Sequence, residues 1–184
     1  MKLPVYLYGQ SVLRKTAEDI DANYPDLSKL IADMFETLEH AEGVGLAAPQ
    51  VGLGIRVLVV DLDALSDKAP ELKGYKKIFI NAHIEELSGE EVTKEEGCLS
   101  LPGIHENVKR PSHVRLKYMD ENFTPHDEVF EGYKARVIQH ELDHLNGKFF
   151  IDRISPIRKQ LIKGKLNKIT VGNVNCSYRT KSAK

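Results

Sequence analysis

The stretch Gln139-His140-Glu141-Leu142-Asp143-His144-Leu145-Asn146-Gly147 is the informative centre of the chain. It closes a segment that opens near Gly132, in which Tyr133, Val137 and Ile138 fall on one apolar side. Asn146-Gly147 is a helix stop signal, so the pattern predicts a helix over 132–145. Two histidines four apart on a helix differ by only about 40° around its axis, given 3.6 residues per turn. Both imidazoles therefore reach one ion. Glu141, beside the first histidine, lies close to that ion without binding it. This H-E-x-x-H pattern belongs to metal-assisted hydrolysis. The ion lowers the pKa of water towards about 7, and the glutamate takes the water proton and passes it to the leaving amine.

A hydrolytic site of this kind takes three protein ligands and keeps a fourth position open. No histidine follows His144, which leaves Asp152 and Cys176 as downstream candidates. The upstream candidate is Cys98, within Glu96-Gly97-Cys98-Leu99-Ser100-Leu101-Pro102, where the glycine permits close backbone approach. A further segment, Gly43-Val44-Gly45-Leu46-Ala47-Ala48-Pro49-Gln50, carries little side-chain bulk, and Gln50 offers an amide to a developing oxyanion. Zinc endoproteases and non-catalytic metal-stabilised domains use the same pentad physics, so the pentad alone does not name a substrate.

The surrounding chain sets the frame. It has 184 residues, 41% hydrophobic and 29% charged, which suits a single globular domain. No apolar run approaches the roughly 18 residues of a membrane span, and Met1-Lys2-Leu3-Pro4-Val5-Tyr6 has no secretory pattern. Cys98 and Cys176 cannot make a disulfide scaffold, so a reducing cytoplasm is the expected location. A net charge of -1 conceals an asymmetry: nine basic and no acidic residues lie from Arg153 onward, leaving 17 basic and 27 acidic side chains before it. That basic end is either a solvated helix and tail or a docking element for a phosphate-rich surface.

Periodicity places the other elements. Leu27, Leu30, Ile31, Met34, Phe35 and Leu38 form one helical stripe, with Asp26 the expected N-cap and Gly43 the expected C′ residue. Residues 55–60 and 77–80 read as strands, and Val114, Leu116 and Tyr118 alternate with Arg115, Lys117 and Met119. Residues 126–131 are the expected hairpin partner, and 61–75 a surface loop. A last helix is expected from Pro156 to about Lys168.

Together the three motif segments resemble the peptide deformylase family. They occur in its order and approximate spacing and match its fixed positions: glycine, apolar, glycine, apolar, Ala-Ala-x-Gln; Glu-Gly-Cys-apolar-Ser; and His-Glu-apolar-Asp-His. The resemblance extends loosely from Tyr8 to Arg153. It implies an α+β fold, with antiparallel and mixed sheets packed around a central metal-binding helix and a C-terminal helix. Residues 1–184 are then one catalytic domain, with about 171–184 a flexible tail. The implied activity is removal of the N-formyl group from the initiator methionine of nascent chains, releasing formate. By position, Cys98, His140 and His144 are the implied metal ligands and Glu141 the general acid/base. Gln50 and the Leu99 N–H are the implied oxyanion donors. The implied metal is Fe²⁺, and the same thiolate and imidazole set accepts Zn²⁺, Ni²⁺ or Co²⁺. The methionine pocket is expected from Val44, Gly45, Gly97, Tyr133, Arg136 and Val137, with the Arg136 charge extended to solvent. His105 is expected where many bacterial members have an arginine near the bound peptide. The implied partners are N-formylmethionyl peptides and, through the basic end, the ribosome; no membrane is involved.

Overall fold

The run Val57-Leu58-Val59-Val60 is apolar at every position because both of its faces are covered. The computed structural model describes residues 1–184. It places this run in β3 (Val57–Asp61), inside a five-stranded antiparallel sheet. The sheet runs in chain order through β2 (Gly45–Ala47), β3, β4 (Lys76–Gly97), β5 (His105–Met119) and β6 (Pro125–Glu131). Val57 and Val59 pack with Ile31, Met34 and Leu38 of α1 (Leu27–His40). Leu58 and Val60 join the opposite core, with Ala135, Ile138, Leu142 and Leu145 of α2 (Gly132–Leu145). Each strand face thus removes apolar area from water, at about 25 cal/mol per Å².

The architecture is α+β, with three helices. The alternation expected at 114–119 is present, Val114, Leu116 and Tyr118 being buried, and β6 is the hairpin partner of β5, pairing Phe130 with Val114. The stripe on α1 is also present, though its ends differ from expectation. Asp26 takes a left-handed conformation and makes no side-chain cap. Glu42, not Gly43, is the left-handed residue at the other end. The Glu42 N–H bonds to the Glu39 carbonyl and the Gly43 N–H to the Leu38 carbonyl, a Schellman closure.

Two features depart from the sequence reading, and both bear on the site. Strand β4 continues far beyond residue 80 and pairs with β5 up to Gly97 opposite His105. The β4 side of this ladder is exposed throughout residues 83–91 and highly charged, so it carries no hydrophobic alternation. Its register shifts between Ile80 and His83, Ile84 and Glu86, and Ser88 and Glu91, which increases the local twist. The hairpin delivers Cys98 to the core at the turn between the two strands.

The second departure is a short strand near the C-terminal end. After α3 (Pro156–Thr170) the chain returns across the body and forms β7 (Thr180–Lys181), parallel to β1 (Val5–Tyr6). Val5 N–H bonds to the Arg179 carbonyl at 2.8 Å and Leu7 N–H to the Lys181 carbonyl at 3.0 Å. Residues 179–181 are therefore held by backbone pairing that the polar composition of this segment does not announce. A third core, including Leu7, Leu101, Val108, Phe149, Phe150, Ile162 and Ile169, joins this end to the hairpin turn. No helix is long and apolar enough to cross a membrane.

Candidate metal centre and its cleft

Helix α2 is buried from Ala135 to Leu145 on all sides. Its apolar residues fill the core, so its polar residues must find partners inside the protein. Cys98, His140 and His144 converge: one ligand atom from each lies within 4.8 Å of the others. Cys98 Sγ is 3.2 Å from His144 Nε2, and the two imidazole centroids are 5.3 Å apart. Of the three candidates for a third ligand, the structure brings Cys98 to the ring pair. Asp152 instead pairs with Arg14 at 2.6 Å, and Cys176 lies on the wall of the adjoining cleft.

The two histidines differ in their electrostatic surroundings. Burial and the nearby positive charges of His140, Arg110 and Arg14 hold the His144 pKa well below the ordinary imidazole value. That shift favours the neutral ring, the form with a lone pair to donate. Burial pushes His140 in the same direction, but the Cys98 thiol and the Glu96 carboxylate outweigh it and raise its pKa. Metal ligation requires the thiol and imidazoles to give up their protons, and the three donor atoms are close enough together to share one ion. A sulfur and two nitrogens are a donor set suited to Fe²⁺, Zn²⁺, Ni²⁺ or Co²⁺.

Glu96 organises the surroundings. Its Oε1 is 2.7 Å from His140 Nδ1 and accepts from Arg110 Nη2 at 2.9 Å. Its Oε2 accepts from Arg110 Nε at 2.7 Å and from Arg136 Nη1 at 2.8 Å. Burial alone would raise the Glu96 pKa; the bonds from Arg110 and His140 reverse this and hold it well below the usual carboxylate range. Arg110 continues to Asp143 at 2.8 Å, and Asp143 also accepts from Arg153 Nε at 2.7 Å. Orienting a ligating histidine through its second nitrogen fixes both tautomer and ring direction. Glu96 and Asp143 were within the motifs read from sequence, but their roles depend on arginines distant in the chain.

Arg136 corrects an expectation. Its charge does not reach solvent. The side chain is buried, with Nη1 bonded to Glu96 and to the Val108 carbonyl, and Nη2 to the Val92 carbonyl. It contributes its stem to the cleft while its guanidinium braces the hairpin.

Glu141 has the environment of a proton carrier. Burial raises its pKa to about 7, and its Oε2 is buried without a hydrogen-bond partner. Gly45 makes room for it: a Cβ there would lie 2.6 Å from Glu141 Oε1. The Gln50 amide is oriented from both ends. Its Oε1 accepts from Ala47 N–H at 2.9 Å, and its Nε2 lies 3.2 Å from Ser100 Oγ and 3.5 Å from Cys98 Sγ. Leu99 N–H, on the turn beside the sulfur, donates to no other protein group.

These groups open onto a cleft of about 470 Å³. Val44, Gly45, Gly97, Tyr133, Arg136 and Val137 all line it, as does His105. His105 lies flat enough over Gly97 that a Cβ on the glycine would meet its ring at 2.8 Å. Asn175, Cys176, Ser177 and Tyr178 complete the wall. Hydropathy offered no signal for this last contribution.

The polypeptide deformylase family model matches residues 2–160. A peptide deformylase of Cytophaga hutchinsonii is 48% identical over 181 residues, covering 98% of this chain and 97% of its own. One of Chlorobium phaeobacteroides is 44% identical, covering 97% of this chain and 93% of its own. Among solved structures, a peptide deformylase from Legionella pneumophila superposes with a TM-score of 0.82 at 36% identity, covering 94% of this chain and 98% of that one. That from Thermotoga maritima gives 0.76 at 40% identity, covering 85% and 99%. With the match spanning most of the chain and the motifs meeting in one buried site, the protein belongs to the polypeptide deformylase family.

Proposed function

We propose that Cys98, His140 and His144 hold the metal with which this deformylase removes the formyl group from the N-terminal methionine of nascent peptides. The observation that carries the assignment is the convergence of those three donors beside the buried, unpartnered Glu141 oxygen. Fe²⁺ is the metal we favour, with Zn²⁺, Ni²⁺ and Co²⁺ accepted by the same donors. When bound, the ion supplies Lewis acidity that polarises the formyl carbonyl and acidifies water.

The protein's own groups do the rest. Glu141 Oε2 takes the proton of the attacking water and delivers it to the departing amine. Its raised pKa suits both halves of that transfer near neutral pH. Gln50 Nε2 and Leu99 N–H donate to the oxygen as negative charge develops on it. Both are fixed before substrate arrives, so little reorganisation accompanies the charge. Val44, Tyr133 and Val137, with the Arg136 stem, receive the methionine side chain. We assign the rejection of an acetyl methyl to the approach beside Gly45 and Gly97, where a Cβ on either glycine would already meet Glu141 or His105. A thiolate ligand requires a reducing compartment, in keeping with a cytoplasmic site of action.

We also propose that α3 contacts ribosomal RNA. Lys159, Lys163, Lys165 and Lys168 are exposed on it. Arg158 is committed to Glu106 at 2.8 Å and is left out of this contact. Ile162 and Ile169 belong to the core, so charge reversal tests the idea without removing the helix. Lys159, Lys163, Lys165 and Lys168 replaced together by glutamate should abolish salt-sensitive co-sedimentation with ribosomes. Unchanged pelleting would refute the contact.

Anaerobically purified, iron-loaded protein should release amine from formyl-Met-Ala-Ser and none from acetyl-Met-Ala-Ser. Comparable rates on the two peptides would overturn the assignment of the narrow approach. Glu141→Ala should remain folded and metal-loaded while kcat falls about 10²- to 10⁴-fold, the range for a lost general acid/base. Turnover at the wild-type rate would remove Glu141 from the mechanism.

A further inference from the structure

The turn that carries Leu99 is pinned through its carbonyl groups. The Cys98 carbonyl accepts from Leu101 N–H at 3.0 Å, and the Ser100 carbonyl from Tyr8 N–H at 2.9 Å. The Leu99 carbonyl accepts from the Tyr178 hydroxyl at 2.8 Å. The last of these is the only side-chain donor of the three, and it comes from beyond residue 160, where the family model match ends.

Tyr178 is itself held firmly. The next residue, Arg179, begins the ladder to β1 through its carbonyl, and Gln10 Nε2 bonds to the Ser182 carbonyl at 2.6 Å. The N-terminal segment that anchors this ladder continues to Tyr8, whose N–H holds Ser100. Residues 5–8 are therefore a common frame for the strap and for the turn. Tyr178 also lines the cleft with Asn175, Cys176 and Ser177.

We infer that Tyr178 is a positioning residue: its hydroxyl holds the Leu99 carbonyl, in the peptide plane next to the one that carries the free Leu99 N–H, and so steadies the turn with that N–H facing the reacting oxygen. The inference rests on the deformylase reading and on the role given there to Leu99. The hydroxyl does not touch substrate. It adds a restraint on rotation about Leu99 between the backbone bonds that hold the Cys98 and Ser100 carbonyls on either side. A donor aimed at an oxyanion stabilises the transition state more than the ground state, so its misalignment lowers turnover rather than affinity.

Tyr178→Phe keeps the ring and its packing and deletes only the bond. The measurement is kcat and KM on formyl-Met-Ala and formyl-Met-Ala-Ser, with metal content and melting temperature for both proteins. The expected result is a kcat about two- to tenfold lower on both peptides, the scale of one hydrogen bond. KM and metal content should be unchanged, and the melting temperature lower by no more than the few degrees that one lost hydrogen bond costs. A merely structural role would leave kcat unchanged or lower the metal content, and a role in the cleft wall would raise KM on the longer peptide. Either pattern, or an unchanged kcat, overturns the positioning role while leaving the deformylase reading intact. Failure of the wild-type protein to deformylate either peptide overturns both.

Discussion

The buried carboxylate of Glu96 is the constraint on which the site depends. It meets His140, Arg110 and Arg136 within 2.7–2.9 Å, and through Arg110 it is joined to Asp143. Charges this deep are costly to desolvate, and their mutual attraction only roughly repays that cost. Their value lies in geometry. Each partner leaves another buried charge unpaired if it moves, so the hairpin and the helix have one mutual position with every group satisfied. That position brings the Cys98 sulfur to the histidine pair.

The topology serves the same end. A meander sheet stacks α1 on one face and α2 on the other, and the strand buried on both sides, β3, lies between them. The long β4–β5 ladder reaches out of this sandwich and returns the turn at Cys98 towards α2. Small residues occur where elements meet most closely. Gly45 faces Glu141, and Gly97 faces His105; a side chain at either would fill space that the chemistry requires. The C-terminal strap closes the third side of the cleft and ties it to the amino-terminal strand.

Much of this was legible in the sequence where chemistry or periodicity is local. Helix α2 was readable from its stop signal and its histidine spacing, and α1 from its stripe. The sheet was readable where one face is buried, as at Val114, Leu116 and Tyr118. The outer ladder was not, because residues such as Glu85, Glu86, Glu90 and Glu91 are exposed and give no alternation. Pro111, which has no N–H to give the ladder, lies opposite Glu91, beside a register shift. Arg136 was misread as reaching solvent because its partner, Glu96, lies 40 residues away. The contacts of residues 178–181 left no trace either: they are backbone pairing and one tyrosine hydroxyl, and neither has a hydropathy signature.

The most direct test of the central claim is the metal stoichiometry of Cys98→Ala beside that of the wild-type protein, both purified anaerobically and assayed by elemental analysis. A site built from one sulfur and two imidazoles predicts about one ion per wild-type chain and its loss from a variant that remains folded. One ion per chain retained without the sulfur would contradict the proposed ligand set.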